Sequence, residues 1–188
     1  MKVGGHASSS KFKYYLEYEL AAGLLLDYRV MYEITPWLNF KIGQWKAQYS
    51  RERIISSGKQ QLVDRSILNY AFTLDRQQGA SLFGRIDGKG ALDFNYWISS
   101  FMGTGRGANT NDDKNMLWMG RWQWNPFGEP VGFQGSDIER HQRFIMSMTL
   151  AGATNKTQYT RFSTAGGSQL PGFEEGVPSQ YRINQWMF

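Results

Sequence analysis

The chain has 188 residues, of which 41% are hydrophobic, and a formal net charge of +5, which is compatible with one domain. It contains no cysteine, which excludes disulfide frameworks and thiolate sites, and no run of about eighteen apolar residues, which excludes membrane-spanning helices. Its Lys and Arg residues are spread along the sequence and form no patch, so a nucleic-acid-binding protein is not favoured.

Aromatic residues are abundant, with seven Trp, ten Tyr and twelve Phe. A transmembrane β-barrel alternates lipid-facing apolar with lumen-facing polar residues and carries aromatic girdles, so its average composition stays polar. A Trp-rich soluble β-sandwich would also account for the aromatic content. Both architectures are all-β, and the order of the predicted elements has to separate them.

Alternation of apolar and polar residues predicts the first strands. Lys2 and Val3 predict the end of a strand, and residues 11–20 alternate strictly over the ten residues that a tilted membrane-spanning strand needs. After a turn at residues 21–23, residues 26–34 alternate again. Pro36 ends that pattern, because proline cannot donate to a sheet ladder, and a further strand begins at Leu38.

A long connection follows at residues 50–77, where the alternation stops. Its cations are Arg51, Arg53, Lys59, Arg65 and Arg76. Glu52, Asp64 and Asp75 offset part of this charge. Connections of this length are usually functional, and a pore would place such a loop at its narrowest point.

The second half predicts shorter strands at residues 80–86, 91–102, 116–124 and 144–150 and a last one from Tyr181. Asp87, Gly88, Lys89 and Gly90 are typical of a hairpin turn. The connections 103–115, 125–140 and 154–179 are longer and rich in Gly. About eight antiparallel strands result, and we expect those near residues 1–7 and 180–188 to have an unpaired edge.

The alternation assigns side chains to two faces, because a charge on the lipid face costs roughly 2 to 4 kcal/mol at the bilayer midplane. The residues predicted to face lipid are Phe12, Tyr14, Phe40, Phe94, Trp122, Phe144 and Met146. Those predicted to face the interior are Lys13, Arg29, Lys41, Asp93, Arg121 and Arg143.

Catalytic chemistry finds little support in the sequence. His6 and His141 are the only histidines and lie on unrelated turns, so neither a zinc site nor a Ser-His-Asp triad is indicated. Glu174 and Glu175 are adjacent in a Gly- and Pro-rich loop, where solvated surface residues are more common. We therefore predict no enzyme, no catalytic residue, no metal and no cofactor.

Several spaced segments carry a family resemblance. There are four such segments, which in chain order are LLLDYRVMYEI at residues 24–34, GQWKAQYSRE at 43–52, DRSILNYAFTLDRQQG at 64–79 and WNPFG at 124–128. These segments resemble the phosphate-selective porin family, of the porin O and P type. The family forms homotrimeric bacterial outer-membrane barrels of about sixteen antiparallel strands. Its third loop folds into the channel, and basic residues draw anions through.

The resemblance implies that residues 1–188 are a single β-barrel domain, an internal portion of such a porin truncated at both ends. The first ten residues lack the apolar core of a signal peptide, so either a signal was removed or the chain begins partway through a longer protein. The expected partners are small anions, the lipid bilayer and further copies of the chain, with no nucleic acid.

The functional hypothesis is an outer-membrane porin that conducts small anions, phosphate or other oxyanions among them, past the loop at 50–77. The candidate anion-pathway residues are Arg51, Arg53, Lys59, Arg65, Arg76, Lys41, Arg29, Arg85 and Arg121. Acidic residues on the same faces leave a charge-balanced diffusion pore open. The alternation is also compatible with a small eight-stranded outer-membrane barrel of structural or adhesive role and with a soluble β-sandwich binding module.

Overall fold

One antiparallel sheet of nine strands, paired in chain order, dominates the computed structural model, which describes residues 1–88, 90–137, 140–162 and 169–188. The strands are β1 (Lys2–His6), β2 (Phe12–Glu19), β3 (Leu24–Thr35), β4 (Leu38–Lys46), β5 (Arg76–Asp87), β6 (Asp93–Phe101), β7 (Leu117–Trp124), β8 (Met148–Thr157) and β9 (Tyr181–Met187). The sheet is not closed: β1 and β9 are its two edges. The prediction of an all-β antiparallel fold is confirmed.

Short helices lie only in connections of the described chain. Helix α1 (Arg51–Ile54), a 3-10 turn at Ser57–Lys59 and helix α2 (Ile67–Phe72) follow β4, and another 3-10 turn covers Gly90–Leu92. No helix among the described residues is long and apolar enough to cross a membrane. The predicted hairpin turn at residues 87–90 includes Lys89, which lies outside the described residues.

One face of the sheet, which we call the open face, carries rows of exposed apolar side chains. Paired residues of β2 to β6 form such a row: Phe12, Tyr32, Phe40, Leu82 and Ile98, each between 36% and 55% exposed. Side chains of directly paired residues share a face, so this row lies on one side of five adjacent strands. The sheet therefore presents an apolar surface to its surroundings.

The other face, the covered face, is packed under the long connections. Its buried positions include Lys41, Ser81, Ser99 and Arg121 beside apolar ones such as Met119. Residues 47–75 fold onto this face. Their buried side chains Ala47, Tyr49 and Leu74 join a core with strand residues Trp45, Phe101, Leu117, Met119, Ala151 and Ala153. The connection after β4 thus replaces the second sheet that a sandwich would use.

The predicted division into two faces is confirmed for the strand residues Phe12, Tyr14, Phe40 and Trp122, which are exposed, and for Lys41, Asp93 and Arg121, which are buried. Lys13, Arg29 and Phe94 are half-buried. The sequence predicted about eight strands, and the described part of the chain has nine, each overlapping a segment predicted as a strand. Strand β4 also ends at Lys46 and β5 begins at Arg76, so the loop runs over residues 47–75.

The eighth strand was placed too early. Phe144, Met146 and Arg143 lie in the connection before β8, which begins at Met148, so the facing predicted for these three residues was wrong. Inward positions of β8 are filled by small residues such as Ala151 and Ala153, packed against the core. These alanines differ little in size and hydropathy from the outward-facing Gly152. The sequence of β8 therefore shows no clear alternation of apolar and polar residues.

A glycine is required where β3 and β4 approach closely. Gly43 has φ +127, and a Cβ there would overlap the carbonyl oxygen of Tyr28 and lie 2.8 Å from Cα of Arg29. We expect Gly43→Ala to destabilise the folded chain by more than about 2 kcal/mol. The measurement is the free energy of unfolding, with its midpoint, from a urea titration.

Gly120→Ala is the matched control for Gly43→Ala, because a Cβ at Gly120 would meet no heavy atom within 4 Å. Its free energy of unfolding should stay within about 0.5 kcal/mol of that of the unaltered protein. Equal midpoints for the two variants would contradict the close approach at Gly43.

Candidate functional site

The loop at residues 47–75 is fastened to the sheet by an ion pair. Arg53 of α1 donates through Nε (2.8 Å) and Nη2 (2.5 Å) to Oδ1 of Asp75, immediately before β5. Helix α2 is capped by Ser66, whose Oγ accepts from the backbone of Asn69 at 3.2 Å and donates to Glu52 at 2.6 Å. These contacts hold α1 and α2 together over the covered face.

Arg121 of β7 lies beneath this loop and is only 3% exposed. Its Nη1 donates to the carbonyl oxygen of Tyr49 at 3.0 Å, and its Nη2 donates to Oε1 of Gln123 at 3.1 Å. Its guanidinium lies 5.3 Å from the ring centre of Trp97 and 5.4 Å from that of Phe133. Among the described residues, no carboxylate lies within 4 Å of it.

Arg51 approaches the same aromatic ring from the loop. Its guanidinium is 5.9 Å from the centre of Phe133 and donates to the carbonyl oxygens of Gly132 (2.6 Å) and Gln134 (3.2 Å). Burial lowers the pKa of Arg51, yet an arginine stays protonated in proteins. Arg51 and Arg121 therefore flank Phe133 as two cations. We call Arg51, Arg121 and Phe133 the Phe133 cluster.

A cavity of about 720 Å³ opens beside Arg51, between the loop and the connection that follows β7. Arg51, Arg143 and His141 supply the basic groups of its lining, and Glu129 and Asp137 the acidic ones. The ring of His141 lies 2.6 Å from Oδ1 of Asp137, which lowers the pKa of that carboxyl. The cavity thus gives small solutes access to Arg51 in a setting of mixed charge.

Lys41 is a further buried cation on the covered face. Its Nζ donates to Oε1 of Gln48 at 3.0 Å and lies 4.4 Å from the ring centre of Trp45. Within the described ranges no carboxylate lies within 4 Å of Nζ. Lys41 therefore resembles the Phe133 cluster in carrying a charge that aromatic rings and carbonyl-type oxygens surround.

Four further candidate cations form ion pairs. Arg76 and Arg29 share Asp27, at 2.6 and 3.0 Å, and the partner of Arg53 is Asp75. Arg85 lies 2.7 Å from Asp93, which is fully buried. Paired charges largely cancel at a distance, so these four arginines and their three aspartates together leave about one positive charge. Their carboxylates would be left uncompensated if the arginines were removed.

The remaining two candidates lie in the outer part of the loop. Lys59 is exposed. Arg65 donates through Nη2 to the carbonyl oxygen of Ile55 at 3.0 Å, and both burial and the like charge of Arg53 lower its pKa. The nine predicted pathway residues are therefore not one site: Arg51 and Arg121 meet at Phe133, and the others are distributed along the loop and the covered face.

Sequence reasoning placed acidic residues, Asp27 and Asp93 among them, on the same faces as these cations, but it did not identify which acid pairs with which cation or which aromatic rings lie beside them. Phe133 lies in a connection without periodicity, and Asp27 contacts Arg76 from 49 positions away. The tertiary fold brings these residues together. A local pattern contains no signal for either contact.

No protein-family model matches the chain, and neither a curated protein nor a solved structure matches it. The described residues also contain no group of three or more His, Cys, Asp or Glu side chains that could hold a metal ion. The geometry of the sheet and its loop is therefore the basis for a functional conclusion.

Proposed function

We propose that the chain is part of a bacterial outer-membrane porin that conducts small anions through a basic passage narrowed by residues 47–75. The observation that supports this most is the orientation of the sheet. Its exposed apolar side chains lie on the open face, whereas charged and amide side chains are buried on the covered face, among the apolar core residues. A protein in water has the reverse arrangement.

The open face is suited to hydrocarbon. Its exposed residues include Tyr32, Ile42, Ile98, Trp118 and Trp122, each at least 43% exposed. Apolar area gains roughly 25 cal/mol per Å² when it leaves water, so a surface of this extent favours a lipid environment. Exposed Trp residues on membrane-spanning strands, such as Trp118 and Trp122 of β7, are typical of aromatic girdles at membrane interfaces.

The two sheet edges support a larger closed structure. Unpaired backbone groups are not tolerated in hydrocarbon, so in a bilayer β1 and β9 need partner strands. We propose that the nine strands are an arc of a barrel of about sixteen strands, assembled as a homotrimer. The missing strands come from the same polypeptide or from another subunit.

Anion preference is supported by the cations that lack a carboxylate partner. Arg51 and Arg121 lie on the side of the sheet that becomes the lumen, where low-dielectric walls focus a positive potential. Guanidinium groups also match oxyanions through two parallel hydrogen bonds. Phosphate and similar oxyanions are therefore the proposed solutes.

A soluble β-sandwich and a small eight-stranded barrel have less support. A soluble β-sandwich needs two sheets, whereas the described residues form a single sheet. A small eight-stranded barrel would pair its first and last strands, whereas β1 and β9 are sheet edges. Neither architecture gives a reason for an exposed apolar face opposite a face that carries buried cations.

Electrical recording in planar bilayers tests the proposal with protein extracted from membranes in mild detergent. We expect discrete conductance steps and, in a KCl gradient, a reversal potential that favours chloride; added phosphate should reduce the chloride current. Folded protein is identified by heat-modifiable migration on a gel. Folded protein that gives no steps, or that prefers potassium, contradicts the proposal.

A further inference from the structure

A notch interrupts the open face between β7 and β8. Gly120 and Gly152 are direct partners in a row that runs from Ile98 to Trp186. A Cβ at Gly120 would meet nothing within 4 Å, and the ring of Trp186 lies 2.6 Å from where a Cβ of Gly152 would be. The result is a groove of about 570 Å³, whose apolar walls include Ile98, Trp118, Trp122, Leu150 and Trp186.

Two cations lie beyond one end of this groove. Lys156 of β8 and Arg182 of β9 are direct cross-strand partners, both exposed and both on the open face by alternation. In the described part of the chain, no carboxylate lies within 4 Å of either. Like charges directly opposite each other are unfavourable, so an anion between them would relieve repulsion.

The spacing between groove and cations matches an amphiphile. Lys156 is four residues from Gly152, or about 13 Å along the strand. The row between them holds Thr154 and Asn184, whose side chains hydrogen-bond to each other at 2.7 Å. An apolar groove, a polar row and a cation pair follow one another from the middle of the strands toward the long connections 102–116 and 158–180.

We infer that this surface binds a lipid with an anionic phosphate headgroup, its phosphate between Lys156 and Arg182 and an acyl chain over Gly120. The choice of occupant follows from charge complementarity at one end and the apolar walls at the other. The inference rests on the proposed function, because it takes the open face to be the lipid-facing one.

Lipid retention by the full chain in nonionic detergent tests the inference. Phosphatidylglycerol and phosphatidylcholine with identical acyl chains are titrated, and bound lipid is counted by native mass spectrometry. Each cation near a membrane surface favours an anionic headgroup by about fivefold, so we expect roughly a 25-fold preference for phosphatidylglycerol. Equal retention of the two lipids would overturn the inference.

Three variants locate the binding. Lys156→Gln with Arg182→Gln should bring the preference close to one, whereas Lys11→Gln with Arg140→Gln removes the same charge from exposed positions elsewhere and should preserve it. Gly120→Leu fills the groove and should weaken retention of phosphatidylglycerol by about tenfold. A preference that survives Lys156→Gln with Arg182→Gln overturns the headgroup assignment.

Different occupants give different results. Displacement of the lipid by millimolar inorganic phosphate, with retention unaffected by Gly120→Leu, would indicate an ion site only. A multimer that dissociates in Gly120→Leu and retains no lipid would assign the groove to a second copy of the chain. Either result overturns the inference.

Bilayer recordings separate this inference from the proposed function. Protein that prefers phosphatidylglycerol as expected but gives no conductance steps contradicts the porin proposal alone. Protein that conducts anions but retains both lipids equally contradicts the lipid site alone.

Discussion

Replacing Arg51 and Arg121 together with glutamine is expected to lower the ratio of anion to cation permeability by about tenfold, which corresponds to roughly 1.4 kcal/mol. The two guanidinium groups flank Phe133 and have no carboxylate within 4 Å among the described residues. No direct ion pair therefore cancels their positive potential. Reversal potentials in a salt gradient measure the change.

A charge-neutral variant is the matched control. Arg53→Gln with Asp75→Asn removes the ion pair of the same loop without altering net charge, so the permeability ratio should remain close to that of the unaltered protein. Arg121→Lys keeps the charge, loses the planar fork and should retain preference for chloride while weakening any block by phosphate. If the neutral variant shifts the ratio as much as Arg51→Gln with Arg121→Gln, the cluster does not set selectivity.

The sequence predicted the faces of β2 to β7 because those strands alternate large apolar with polar side chains. Phe40 and Lys41 are adjacent in sequence and lie on opposite faces, one 37% and the other 5% exposed. In β8 the same alternation is present, but it is between residues of similar size and polarity. The predicted position of β8 was wrong because packing under the loop determines which side chains of this strand face inward. A contrast in hydropathy between neighbouring residues does not.

The candidate site was predictable only as a set of cations. Whether a cation contributes to a field depends on its partners, and these lie far away in sequence: Asp75 is 22 positions from Arg53, and Tyr49 is 72 from Arg121. Counting charges on the polar faces therefore gave nine equivalent candidates. The folded chain divides them into four that are paired with aspartates and five that are not.

Removing residues 57–63 from the loop is expected to raise single-channel conductance by at least about twofold, because less protein then occupies the passage. The residues that flank this segment are already in contact, since the side chain of Arg65 donates to the carbonyl oxygen of Ile55 at 3.0 Å. Two glycines replace the segment. The segment is also largely exposed, with Leu62 at 74% and Val63 at 96%, so the core of the covered face is left in place.

The matched control replaces residues 57–63 with seven Gly and Ser residues, which keeps the length of the loop and should leave conductance within about 20% of its original value. Anion preference should persist in both variants, because Arg51 and Arg121 are retained. Heat-modifiable migration establishes that each variant is folded. Unchanged conductance in the shortened protein would contradict this prediction and would mean that residues 57–63 lie outside the passage. The constriction would then be assigned to α1 and the Phe133 cluster.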